Sequence, residues 1–418
     1  MTDRDITRFT LDNGLRVVHC HDTRTAMVAV DVMYDVGARD EAPDLTGMAH
    51  LFEHLMFGGS AHEPDFNGAI ERAGGVDNAW TSSDFTNFYD VLPAQNVESA
   101  LRVESDRMLA LSFNPQVLEV QRSVVVEEFK ETVLNRPYGR LMHELRDMLY
   151  SPGHPYSWPV IGKEPEHILR VTDSDVRNWF FSHYAPNNAV LAVAGNVEPD
   201  LLRLLVEKWF GDIPRREIAP RVLPREVWRR GGDRVRTVPD RVPSPLVVLG
   251  FPMPGYNSPG YTEADILTDI LAAGRSARLR QNLMARHPEL LTDAESSILG
   301  SEHEGILLMD CRVTDPAADA PMRARDLLLA EAQAMAAPGN ISQHELDRAI
   351  NRYEARQAAE SLSVVAIARR LAAAEIHGES PDAELERRRA VTLESLADTA
   401  RRIFVESENA TLIVAPQN

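Results

Sequence analysis

NAVLAVAGNV, residues 188–197, is a short apolar run between Asn188 and the Gly195-Asn196 pair, and NATLIVAP, residues 409–416, answers it near the end of the chain. Both runs have strand length and no charged residue, as strands covered on both faces do. Each closes a half of the sequence, and the two halves present similar elements in the same order. In the first half, FTLDNGLRVVHCHD alternates about Asn13-Gly14, a strong hairpin signal. TAMVAVDVMYDVGAR follows as a strand, and DLTGMAHLFEHLMFGG as a helix stopped by Gly58-Gly59. Further helices are expected at PDFNGAIERAG, at NVESALRVESDRMLALSF and at NPQVLEVQRSVVVEEFKETVLN, the last with Asn114 as N-cap and Pro115 at its first position. The second half begins with a strand (PLVVLGFPMP) and a helix (YTEADILTDILAAG) and continues through helices and strands to NATLIVAP. Between the halves lies a Pro- and Arg-rich stretch without a periodic run. The expected fold class is α+β: two homologous α/β sandwich domains, each a mostly antiparallel sheet packed with helices, at 1–215 and 241–418, joined by a linker at 216–240.

Composition narrows the function. The chain has 418 residues, long for one hydrophobic core, which supports two domains. Its net charge of −19 argues against nucleic acid or an anionic membrane surface as partner, since both demand basic patches. No apolar run approaches the roughly 18 residues needed to cross a bilayer. The opening MTDRDITRFTLDNG shows no basic region followed by an apolar one, so a cytoplasmic location is expected. The two cysteines, Cys20 and Cys311, stand far apart and form no disulfide framework, in keeping with a reducing compartment.

The chemistry concentrates in AHLFEHLMFGG, residues 49–59. On a helix, His50 and His54 are four apart and project from one face, a spacing suited to two nitrogen ligands on a tetrahedral zinc. Glu53 points to the same side without having to bind the metal. The helix is otherwise apolar at Met48, Leu51, Leu55 and Met56, so burying these three polar groups without partners is costly, and a metal resolves that cost. A catalytic zinc takes a third protein ligand and keeps one position for water, with Glu53 as the expected general base toward a peptide carbonyl. QRSVVVEEFKE offers Glu127, Glu128 and Glu131 as the third ligand, and helical geometry alone does not choose among them.

The order His-x-x-Glu-His is the reversed zinc motif of the inverzincins. With LDNGLRVV, VGARDE, GMAHLFEHLMFGG, NAWTSSDFTNFY, VQRSVVVEEFKE, HPYSWPVIG and YAPNNAVLAVAGNV, the chain resembles the pitrilysin family of metallopeptidases, which includes insulin-degrading enzyme and the mitochondrial processing peptidases. The resemblance spans the first half and, more weakly, the second, and fits the short two-domain subunits that form half of a clamshell. It implies a zinc endopeptidase for peptides or small unfolded polypeptides. The family's third ligand ends an E-R-x-x-V-x-x-E pattern, and aligning Arg122 and Val125 to it assigns that role to Glu128. The pattern's first glutamate, a support of the metal site, falls on Gln121.

NAWTSSDFTNFYDVLP, residues 78–93, has the composition of an edge strand, able to bind an extended peptide by main-chain pairing. The resemblance puts Asn78, Ala79 and Thr81 on the strand beside the zinc, in contact with substrate, and gives His154 a structural role. Active family members also carry R-x-x-x-x-x-x-Y in the second half, holding the substrate from the side opposite the metal. Those positions fall on Met284 and Leu291, with Arg286 nearby but no tyrosine seven residues after it. The implied arrangement is a catalytic subunit of a heterodimer whose homologous partner supplies the Arg/Tyr pair, with a homodimer as the variant of that scheme. A non-catalytic assembly subunit is the competing reading. Cleavage specificity and physiological substrate are not legible.

Overall fold

The Asn13-Gly14 turn joins β1 (Asp5–Thr10) to β2 (Arg16–His21) in an antiparallel hairpin, and the Asn13 amide donates to the carbonyls of Phe210 and Ile213 at 2.8 and 2.9 Å. The computed structural model describes residues 5–229, 231–232 and 234–417; Arg230 and Asp233, within the expected linker, lie outside the described residues, as do the chain ends at 1–4 and Asn418. The first half continues through β3 (Met27–Tyr34), α1 (Met48–Leu55), α2 (Phe66–Arg72), β4 (Val76–Thr81), β5 (Thr86–Pro93), α3 (Val97–Leu109) and α4 (Pro115–Phe129). It ends with α5 (Leu141–Leu149), α6 (Pro165–Arg170), α7 (Asp173–His183), β6 (Ala189–Gly195) and α8 (Pro199–Phe210). The second half contains β7 (Val235–Asp240), β8 (Leu246–Pro254), α9 (Tyr261–Ala272), β9 (Leu291–Leu299), β10 (Glu304–Val313) and α10 (Ala320–Ala334). It closes with α11 (Gln343–Glu360), α12 (Val364–His377), α13 (Ala383–Ala390), α14 (Leu393–Ile403) and β11 (Ala410–Pro416).

The duplicated plan is present in the strand order. The first sheet runs β1-β2-β6-β3-β5-β4 and the second β7-β11-β8-β10-β9. In each, one neighbouring pair is parallel (β2 with β6, β7 with β11) and every other pair is antiparallel. The two apolar runs that close the halves, β6 and β11, sit inside their sheets, which is why they read as uninterrupted apolar sequence.

The compact units do not follow the 216–240 boundary. The first comprises Met1–Phe129, Trp158–Leu223 and Arg356–Ala383; the second comprises Lys130–Ser157, Pro224–Ala355 and Glu384–Asn418. A sheet has two faces to cover, and each unit covers one of them with a helix from the other half of the sequence. Leu371, Ala368 and Ile367 of α12 pack on Val18, Ala29 and Ala192 in the first unit. Leu145 and Leu149 of α5 pack on Val248 and Leu412 in the second. Within the expected linker, residues 235–240 form β7, an edge strand that alternates outward and inward side chains and tolerates Pro239 at its free edge.

Candidate metal centre

The helix carrying the motif starts where a side chain could not. Gly47 has φ +88°, and a Cβ there would come within 2.5 Å of Ile168 and 2.9 Å of the Ile161 carbonyl oxygen. From that turn, Met48, Leu51, Phe52 and Leu55 bury one face of α1 in the first unit's core. His50, Glu53 and His54 are left together on the opposite, half-buried face. The imidazoles of His50 and His54 have ring centroids 4.9 Å apart at 88°.

Glu128 meets them from α4, whose Leu118, Val125, Val126 and Phe129 are buried and whose free face carries Glu128. Its Oε2 lies 3.8 Å from His50 Nε2 and 3.6 Å from His54 Nε2, and the three ligand atoms lie within 4.8 Å of one another. A tetrahedral zinc bound at its usual distances separates its ligand atoms by about 3.4 Å, and the two separations to Glu128 exceed that by only a few tenths of an ångström, so the donor set suits the ion. Glu127 and Glu131 are exposed and take no part in the cluster. The packing of α4 therefore brings Glu128 to the histidines, the residue the family resemblance implied where helical geometry alone left three glutamates open.

The surroundings suit metal ligation. His54 Nδ1 lies 3.3 Å from Gln121 Oε1, a contact that orients the ring with Nε2 turned toward Glu128. His50 Nδ1 is buried and has no hydrogen-bond partner among the described residues. Burial, and then the neighbouring His54, push the His50 imidazole down to about 4, so it is held neutral, as a ligand must be. Glu53 stays outside the three-ligand cluster and accepts a hydrogen bond from Thr81 Oγ1. Burial lifts its carboxyl above the ordinary range, against the opposing effects of Thr81 and His54.

The strand residues expected at the substrate divide between two faces. Among the described residues β4 is the edge strand of its sheet, paired only with β5. Thr81 and Ala79 face α1 and the core beneath it, whereas Asn78 is exposed and alternates with Trp80, which packs on the opposite face of the sheet with α12. Thr81 is thus placed to hold Glu53, a contact the sequence reading did not anticipate. The Asn78 side chain points away from the histidines and accepts from the Ala79 N–H at 2.8 Å. His154 is 2% exposed in the second unit and stacks on Tyr150 at 5.7 Å. Met284 packs partly buried against that unit's core and Leu291 lies 1% exposed within it, so both positions serve packing.

Two sequence profiles of one peptidase family match the chain: "Insulinase (Peptidase family M16)" over residues 16–153, and "Peptidase M16 inactive domain" over residues 170–353. The chain belongs to peptidase family M16. The zinc protease PqqE of Helicobacter pylori is 29% identical over 304 residues, covering 72% of this chain and 68% of that protein. The uncharacterized zinc protease YmxG of Bacillus subtilis is 29% identical over 208 residues, 49% of this chain, and the match spans only half of that protein's length. The crystal structure of a protease from Helicobacter pylori superposes with a TM-score of 0.87 at 25% identity, covering 99% of this chain and all of that one. Among the described residues, no helix is long and apolar enough to cross a membrane.

Proposed function

We propose that this chain is a zinc-dependent endopeptidase acting on extended peptides or small unfolded polypeptides. The observation that carries this reading is the meeting of His50 Nε2, His54 Nε2 and a Glu128 carboxylate oxygen, with Glu53 held beside them by Thr81. The names of the relatives, zinc proteases, support it. Zinc, when bound, supplies a Lewis acid that polarises the scissile carbonyl and makes a water acidic. His50, His54 and Glu128 would hold it, with the His54 ring oriented by Gln121. Glu53 takes up the proton of the attacking water and returns it to the leaving amine. The hydrogen bond from Thr81 fixes the carboxylate for that transfer. The free edge of β4 pairs with the peptide main chain, giving affinity with little dependence on side chains.

The second unit supports a divided site. Met284 and Leu291, at the positions of the family's Arg/Tyr pair, are packing residues here, so a homologous subunit is the proposed source of that pair. The match of residues 170–353 to a profile described as an inactive domain agrees with this division. That same match also favours a second reading, a non-catalytic assembly subunit. Metal content and turnover of a quenched unstructured peptide separate the readings. A zinc-loaded chain with chelator-sensitive turnover is a self-sufficient enzyme. A zinc-loaded chain that cleaves only when mixed with a homologous subunit has a divided site. A chain that purifies without stoichiometric zinc and cleaves in neither setting overturns the peptidase reading.

A further inference from the structure

The loop before the metal-binding helix, residues 37–41, holds two parts of the site at once. The Glu41 side chain, 5% exposed, turns both carboxylate oxygens onto the start of α1: Oε2 accepts from the Gly47 N–H and Oε1 from the Ala49 N–H, each at 2.9 Å. These are two of the four amides that a helix start leaves unpaired, and the helix concerned carries His50, Glu53 and His54. Two residues earlier, the Arg39 guanidinium, 4% exposed, donates to Asp84 Oδ1 at 2.7 Å in the turn between β4 and β5. The backbones of loop and turn are also joined, with Ala38 N–H donating to Ser82 O at 3.1 Å and Arg39 N–H to Ser83 O at 2.8 Å. Their approach is close: a Cβ on Gly37 would lie 2.6–2.7 Å from backbone atoms of residues 82–84. That turn immediately follows Thr81, whose hydroxyl donates to Glu53 on α1.

The contacts close a ring: Glu41 to the start of α1, α1 to Glu53, Glu53 to Thr81, Thr81 to the β4–β5 turn, and that turn through Asp84 to Arg39. We propose that Glu41 is a positioning residue for the metal centre, fixing the helix that bears both histidines while the Arg39–Asp84 pair fixes the strand that holds Glu53. An ordinary helix cap would satisfy the two amides and end there; here the same loop also sets the partner of the general base. The proposal rests on the zinc-peptidase reading above.

The test measures zinc affinity of the full chain by competition with a chromophoric chelator, a readout that needs no turnover, together with kcat, KM and unfolding of the zinc-free protein. Glu41→Gln keeps the shape but turns an amide nitrogen toward one of the two N–H groups. It is expected to weaken zinc binding about 10–100-fold, the usual effect of losing a group that orients metal ligands, and to lower kcat with KM nearly unchanged. Asp84→Asn, a milder break at the far side of the ring, is expected to lower kcat in the same sense, and it keeps the proposal testable if Glu41→Gln fails to fold. Native zinc affinity and kcat in a destabilised Glu41→Gln, or in a folded Asp84→Asn should Glu41→Gln not fold, would overturn the positioning role and leave the metal reading intact. A native chain that binds no zinc overturns both.

Discussion

Arg107→Met is expected to destabilise the first unit severely, because it strands a buried carboxylate. Arg107 is 1% exposed and Glu104 fully buried; the guanidinium donates from Nε to Glu104 Oε2 at 2.9 Å and from Nη2 to the other oxygen. Its carbon centre also lies 4.1 and 4.3 Å from the ring centroids of Phe66 and Phe88. Asp90 on β5 is buried against Glu104 and pushed far up by burial and by that charge, with Arg107 opposing the shift. Removing one partner of such a buried pair costs about 3–5 kcal/mol, and loss of the desolvated ring contacts adds about 1–2 kcal/mol. Methionine retains the packing of the stem and adds no further loss, so the net loss is about 4–7 kcal/mol. At about 2–4 °C per kcal/mol for a unit of this size, Tm should fall by about 10–25 °C. Calorimetric and denaturant unfolding of native, Arg107→Met and Glu104→Leu/Arg107→Met chains would measure it. The double variant buries neither charge and should recover most of the loss. A single-variant loss below about 1 kcal/mol, or no recovery in the double variant, would refute the argument that the pair is held by mutual need.

Three further outcomes are expected. Glu53→Gln should lower kcat about 100- to 10,000-fold, the range for a lost general base, while zinc affinity measured by chelator competition stays near native. Glu128→Gln should lose stoichiometric zinc by metal analysis, whereas Glu127→Gln and Glu131→Gln, both at exposed positions, should retain it. Asp31 is fully buried, accepts from Asn87 Nδ2 at 2.7 Å, and is pushed up to about 8 by burial. Between its ordinary value near 4 and about 8 the folded chain holds a proton there that the unfolded chain releases, so this group makes stability fall as pH rises through that window. Asp31→Asn should flatten that fall in a plot of Tm against pH; an unchanged slope would show that Asp31 is not the group responsible.

What the sequence determined by itself is what neighbouring residues decide. The 3.6-residue period of a helix places His50, Glu53 and His54 on one face wherever that helix packs, and the apolar residues between them say which face turns inward. The Asn13-Gly14 hairpin and the matched runs at 188–197 and 409–416 are local in the same sense, and they carried the α+β class and the duplicated plan. The tertiary structure alone decided which distant side chains meet. Gln121 reaches His54 across 67 positions of chain, and the meeting of Glu128 rather than Glu127 or Glu131 with the histidines, which the family pattern implied but helical geometry left open, comes from the rotation of α4 against α1 that core packing fixes. Strand alternation separates Thr81 from Asn78, yet only the placement of α1 and α12 on opposite faces of the sheet tells which of the two meets Glu53. The exchange of α5 and α12 between the halves of the sequence was hidden for a like reason. An amphipathic helix advertises an apolar face but not the sheet that will cover it, and a cover from the other half of the chain buries as much area as one from its own.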